Sequence, residues 1–240
     1  GEVSEAYAAA GSCWGAEDGA GDGMTANPGA CQFAPRYWAC EVKDVEHCLS
    51  AAQVSTLEML LSDVVDARGN ILSTGFFWAD FGRMTPGFSS LGAVHAWVGT
   101  GDATWFQPEK QRQFIPDDHH YHIARGLIRS GMAHDRIGIA QFVASGKKLI
   151  SWHAGADDLL SPGDHLRLFD EMMDIANILA RGTGVNVSDN ARFFIVPGAN
   201  HGAGAHSVNW IEAIIEWTEN GRVPQNLIYK REDGSAIPVC

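Results

Sequence analysis

At 240 residues with 45% hydrophobic side chains, the chain is long enough for one large domain or two small ones and can bury a core. Its 29 acidic residues against 17 basic ones leave a net charge of -12, with no Lys/Arg cluster to meet a phosphate backbone or an anionic bilayer, which argues against nucleic acid or membrane partners. No apolar run approaches the roughly 20 residues that a spanning helix needs.

The first residues, Gly1-Glu2-Val3-Ser4, show neither an initiator Met nor a signal-peptide pattern, so the start reads as processed, truncated or only partly observed. Residues 1–12, with Ala6-Tyr7-Ala8-Ala9-Ala10 at their centre, read as the tail of a core helix that Gly11 stops. Four of the five cysteines follow within a Gly/Pro/Asp-rich stretch, at Cys13, Cys31, Cys40 and Cys48. Neither C-x-x-C nor a Cys/His zinc spacing occurs, so disulfides are expected rather than a metal, and with them an oxidising compartment. Four cysteines allow three connectivities; pairing Cys13 with Cys31 and Cys40 with Cys48 is preferred because each closes a short loop, with four reduced thiols as the alternative. Cys240 has no obvious partner.

From Cys13 to about Pro116 the sequence is rich in Gly, Pro and aromatics, including Phe76, Phe77, Trp78, Trp97, Trp105 and Phe106. These rings are expected mainly to pack a small local core, or else to line a pocket for a planar aryl group. One clear helix is predicted there, Ser50 to Val65, with Ser50 as N-cap and Leu57, Leu60, Leu61 and Val64 at helical spacing. Gly87-Phe88-Ser89-Ser90-Leu91-Gly92 misses the G-x-S-x-G spacing and follows no apolar strand, so Ser89 is not read as a nucleophile. Asp117-Asp118-His119-His120-Tyr121-His122 has metal-capable side chains but no second element to complete a site, and reads as a hinge.

Beyond Asp117 the pattern is helix, strand, helix, strand, helix. Lys148–Trp152 and Arg192–Val196 are short apolar runs. Between them Leu166, Phe169, Met173, Ala176 and Ala180 mark an amphipathic helix after Pro162, and Trp210, Ile211, Ile214, Ile215 and Trp217 mark another after the second strand. Strands alternating with helices imply a parallel α/β sheet covered on both faces. Two strands leave open edges and little buried area, so this segment is expected to dock on further strands that the chain does not supply.

Just past the ends of those two strands lie His153-Ala154-Gly155-Ala156-Asp157 and Pro197-Gly198-Ala199-Asn200-His201-Gly202. Open α/β sheets place active sites at such positions, and in α/β-hydrolases the acid and then the His follow the Ser in chain order. Asp157 would accept the Nδ1 proton of His201 and stabilise the imidazolium formed when His201 takes a proton from a Ser. The plainer alternative makes Asp157 a turn former and His201 a loop residue, with Asp158 or Ser161 capping the next helix.

The HxGxD and PGxxH pair, preceded by Gly146-Lys147-Lys148-Leu149-Ile150, resembles the C-terminal portion of the tannase and feruloyl esterase family. Members of that family carry a GGKLI-type strand, HGxxDPLI and PGxxHC. Upstream, Cys13, Asp18-Gly19-Ala20-Gly21-Asp22-Gly23-Met24, Asn27-Pro28, Cys31, Phe33, Pro35, Cys40 and Cys48-Leu49-Ser50-Ala51-Ala52-Gln53 are similar to its lid signature. The resemblance covers residues 1 to about 230 and is weakest from 66 to 140. It implies an α/β-hydrolase portion (the last two parallel strands and their helices) plus an irregular, disulfide-stapled lid. Residues 1–12 would end a core helix, 13–116 form the lid and 117–240 the C-terminal part of the core.

The resemblance further implies a secreted or periplasmic carboxylic ester hydrolase acting on aryl-acid esters. Asp157 and His201 would be its acid and base, with the Ser elbow upstream or on an associated chain. It also implies a structural calcium in the lid, held by the carboxylates of Asp18 and Asp22 and the carbonyls of Ala20 and Met24, since a hard cation suits such oxygen donors. Three departures stand out. Trp14 and Gly15 occupy the place of the loop's first Asp; Gly202 replaces a Cys usually bridged to one beside the nucleophile; and Asp158 stands where Pro is common. A second reading, from another class, is a non-catalytic binding or assembly component that has kept the lid and lost its nucleophile.

Overall fold

The computed structural model describes residues 34–42, 48–77, 97–98, 100–107, 109–110, 126, 135–201, 207–225, 227–231 and 234–239. The described parts of Gly1–Leu61, Phe76–Arg83 and Arg136–Cys240 form one compact unit, and those of Ser62–Gly75 and Met84–Asp135 a second.

In the first unit a 3-10 turn, Pro35–Trp38, leads into the Cys40–Cys48 disulfide. Inside that staple the Cys40 N–H donates to the Leu49 carbonyl (3.0 Å) and the Leu49 N–H to that of Trp38 (2.7 Å), with Leu49 fully buried. A closed loop of this size removes unfolded-chain freedom worth ~2–3 kcal/mol. Cys13, Cys31 and Cys240 lie outside the described residues. Helix α1 (Ala51–Leu61) begins with a reciprocal cap: the Ser50 N–H donates to Gln53 Oε1 (2.7 Å) and the Gln53 N–H to Ser50 Oγ (3.4 Å).

Helix α1 stops short of the expected Val65. In the second unit, Val64–Val65 forms β1, antiparallel to β2 (Ile71–Ser73). The helical spacing of Val64 misled because β-branched side chains favour extended backbone and a turn immediately follows. Asp66 Oδ1 closes that turn by accepting the N–H groups of Arg68 (2.9 Å) and Asn70 (2.8 Å), and Gly69 supplies a φ of +83°. In the same unit Trp105 is buried and Trp97 meets Phe106 edge-on at 5.6 Å, partly as the small-core expectation had it. Trp97 and Phe106 nevertheless remain over 40% exposed.

The α/β layer begins with α2 (Arg136–Ala144), ended at Gly146 with φ +86°. It continues through β3 (Leu149–Ala154), α3 (Pro162–Leu179), β4 (Ala191–Val196) and α4 (Trp210–Asn220), then closes with a hairpin of β5 (Leu227–Lys230) and β6 (Ala236–Val239). β3 and β4 pair in parallel, Leu149 against Ala191 through Ala154 against Val196, as expected from two apolar runs separated by a helix. The terminal antiparallel hairpin was not anticipated.

Strand alternation sorts the side chains onto two faces. Leu149 and Ala191 join Val143, Met172, Ala176 and Val187 in a core under α2 and α3. Ile150, Trp152, Ala154, Phe194 and Val196 pack on the other face with Val208, Trp210 and Val239. Trp152 stacks on Trp210 at 5.7 Å, and the Lys148 ammonium and Arg192 guanidinium both lie 5.3 Å from the ring of buried Trp217. Both faces of the strand pair are therefore covered. Two helical stripes differ from expectation: Leu166 is 39% exposed, and Ile211 and Ile215 point outward at 71% and 44% while Trp217 turns inward. The apolar stripe of α4 is wider than the surface it meets. Truncating Phe194, 3% exposed, to Ala should cost ~3–5 kcal/mol in denaturant unfolding.

Candidate active site

The ends of β3 and β4 are stitched together beyond the last paired residues. The Gly155 N–H donates to the Val196 carbonyl (2.8 Å) and the Ala156 N–H to that of Ala199 (2.9 Å), so the two following loops run side by side. Gly198 turns the second loop with a φ of +64°, a conformation that costs an L side chain and suits glycine. These contacts bring Asp157 and His201 together although 44 residues separate them.

His201 Nδ1 lies 2.9 Å from Asp157 Oδ2 and 3.2 Å from Oδ1. The Asp157 side chain is 5% exposed and that of His201 40%, so a buried acid backs a base that reaches the surface. Asp157 Oδ1 also accepts the N–H groups of Leu159 and Leu160, each at 2.9 Å. Asp157 thus forms a turn, as the plainer alternative proposed, and pairs with His201 as well. Ser161 is the N-cap residue of α3, but its side chain makes no capping bond, and Pro162 supplies the helix start.

Burial opposes ionisation of Asp157. Hydrogen bonds from His153, from the Leu160 and Leu159 backbone and from His201 outweigh it and hold the carboxyl at about 2. Asp157 is therefore an acceptor for Nδ1–H at any pH near neutrality, which leaves Nε2 of a neutral His201 as the basic nitrogen.

The sequence reading did not single out three polar side chains beside this pair. His153 Nε2 lies 3.2 Å from Asp157 Oδ2, His153 Nδ1 is 2.9 Å from His165 Nδ1, and His165 Nε2 is 3.0 Å from Ser151 Oγ. Period-two spacing already places Ser151 and His153 on one face of β3. Only the packing of α3 against that face brings in His165, whose ring also meets Phe193 edge-on at 5.0 Å. The other predicted site residues, Asp18, Ala20, Asp22 and Met24, lie outside the described residues, as do Ser89, the 117–122 cluster and Gly202. Among the described residues no group of three or more His, Cys, Asp or Glu is placed to hold a metal ion. No helix among them is long and apolar enough to cross a membrane.

Residues 128–237 match the sequence model of the family described as tannase and feruloyl esterase. Over those residues the chain is similar to that family. A probable feruloyl esterase B-2 from Aspergillus flavus is 22% identical over 233 residues, 86% of this chain and 42% of that protein. The crystal structure of feruloyl esterase B from Aspergillus oryzae superposes on the whole chain with a TM-score of 0.68 at 20% identity, covering 52% of its own length. The tannin acyl hydrolase from Aspergillus niger does so with a TM-score of 0.71 at 18% identity, covering 49% of its length. The chain thus spans about half the length of these relatives, and the structural likeness establishes a shared fold. The Asp157–His201 pair lies within the matched residues.

Proposed function

We propose that this chain supplies the acid and base of a serine-type carboxylic ester hydrolase acting on aryl-acid esters, with the nucleophilic Ser upstream or on an associated chain. The observation that carries the reading is the 2.9 Å contact between His201 Nδ1 and the buried Asp157 carboxylate at adjacent ends of parallel strands. In this scheme Asp157 holds the Nδ1–H tautomer, and His201 Nε2 takes the Ser Oγ proton as the ester carbonyl is attacked. His201 then returns that proton to the leaving alcohol, while Asp157 stabilises the transient imidazolium. Deacylation repeats the cycle with water in place of Ser.

Two further parts of the proposal rest on the resemblance and on chemistry. A secreted or periplasmic location suits the Cys40–Cys48 disulfide, which needs an oxidising compartment. Calcium held by Asp18, Ala20, Asp22 and Met24 suits a set of two carboxylates and two carbonyls, and calcium titration calorimetry on the Asp18→Ala and Asp22→Ala variants tests it.

The test of the central reading is labelling of the full-length protein, with any co-purifying chain, by an aryl organophosphonate. Labelling of one Ser, abolished by His201→Ala, is the expected result. No labelled Ser on any chain would overturn it in favour of a non-catalytic binding component.

A further inference from the structure

The three polar side chains behind Asp157 form a line whose proton positions can be assigned from their partners. His153 Nε2 faces Asp157 Oδ2 and the Leu160 carbonyl, both at 3.2 Å, and both are acceptors, so Nε2 carries a proton. A neutral His153 then has a bare Nδ1, and the 2.9 Å contact to His165 Nδ1 requires the proton there to come from His165. A neutral His165 in turn has a bare Nε2, 3.0 Å from Ser151 Oγ, which donates to it. With both imidazoles uncharged, each of these contacts is matched donor to acceptor.

Neutrality has a consequence for Asp157. A Lys or Arg at this position would also donate to Oδ2, but its positive charge would compete with the imidazolium of His201 for the same carboxylate. A neutral imidazole fixes the orientation of the carboxylate without neutralising it. The Leu159 and Leu160 N–H groups hold Oδ1, so with His153 on Oδ2 both oxygens are restrained and the carboxylate is kept from rotating away from Nδ1 of His201.

We propose that His153 is a positioning residue: as the neutral Nε2–H tautomer, set by His165 and Ser151, it clamps Asp157 Oδ2 and leaves the carboxylate charge to His201. The inference rests on the reading of Asp157 and His201 as acid and base. Ser151, His153 and His165 touch no reacting atom in it; they act through Asp157.

The experiment has two arms on the full-length protein. In the first, nitrogen-15 NMR of labelled histidines at neutral pH in the unsubstituted protein should find the Nε2–H tautomer for His153 and Nδ1–H for His165; any other protonation of His153 overturns the inference, with no variant needed. In the second, aryl-ester turnover by His153→Leu should fall about 10- to 100-fold in kcat, the factor expected for one hydrogen bond to a charged group, with KM within about twofold. His153→Gln, which keeps an N–H donor, should recover most of that loss, and His165→Phe should lose less than His153→Leu. Wild-type kcat in a folded His153→Leu, or a loss that Gln does not rescue, overturns the inference. Asp157→Asn separates the two levels. Full activity there defeats the acid-base reading and the inference with it, whereas a dead Asp157→Asn beside a fully active His153→Leu defeats the inference alone.

Discussion

Asp66 and Asp157 each fold a carboxylate back onto the backbone of their own turn. Asp66 Oδ1 accepts the N–H groups of Arg68 and Asn70, and Asp157 Oδ1 those of Leu159 and Leu160. Both carboxyls are held below their usual range, Asp66 first by the Asn70 side chain and backbone, Asp157 by His153, Leu160, Leu159 and His201 against the opposing effect of burial. The difference lies in the second oxygen. Asp66 Oδ2 accepts from Asn70 Nδ2 within its own turn, while Asp157 Oδ2 meets His153, four residues earlier on β3, and also His201 from the loop after β4. Local turn chemistry is common to both residues. What makes Asp157 a candidate acid is burial plus a long-range partner, His201.

The sharpest way to break that contrast is kinetic. Asp157→Asn in the full-length protein should lower kcat by about 10⁴-fold, because an amide stabilises the wrong tautomer of His201, whereas Asp66→Asn should leave kcat unchanged. Steady-state turnover of an aryl ester measures both, and similar values for the two variants would erase the distinction.

A second comparison is the acid limb of stability. The folded pKa of Asp157, about 2, lies below its ordinary 3.8, so the ionised group stabilises the fold above pH ~4 and that stability is lost as pH falls from ~4 to ~2. The contribution is about 2 kcal/mol. Urea midpoints between pH 5 and 2 should drop less steeply in Asp157→Asn than in the unsubstituted chain. A parallel drop in both proteins would mean that the histidine and backbone donors do not favour the carboxylate.

The smallest effect compares two glycines. Gly69→Ala and Gly198→Ala each place a side chain at positive φ and should each cost ~1–2 kcal/mol in thermal unfolding. Only Gly198→Ala should also lower kcat, since its loop carries His201. Equal kcat in the two variants would show that the loop after β4 tolerates a shift of the base.

Much of this was legible in the residues. Apolar runs with a helix between them sufficed for β3, α3 and β4, and Pro162 marked the start of α3. The order of Asp157 and His201 after successive strands anticipated their meeting, because parallel strands put their C-terminal ends side by side. Periodicity failed where a local pattern had two readings. Val64 and Val65 fit a helical stripe until the Asp66–Asn70 turn claimed them for a hairpin. The α4 stripe included Ile211 and Ile215, but a helix buries only the face its neighbours offer. The β5–β6 hairpin was missed because its alternation over four-residue strands, one containing Pro238, is too short to stand out.

By itself, then, the sequence determined the order of β3, α3, β4 and α4, favoured the Cys40–Cys48 staple over its alternatives and singled out Asp157 and His201 as candidates for acid and base, since each depends on spacing and side-chain type within one segment. Tertiary structure alone decided that Asp157 is buried at 5% exposure, that His201 reaches it at 2.9 Å, and that His165 on α3 meets His153 on β3. Those contacts join residues from different elements, and their existence follows from how a helix and two strands pack, which no one-dimensional spacing records.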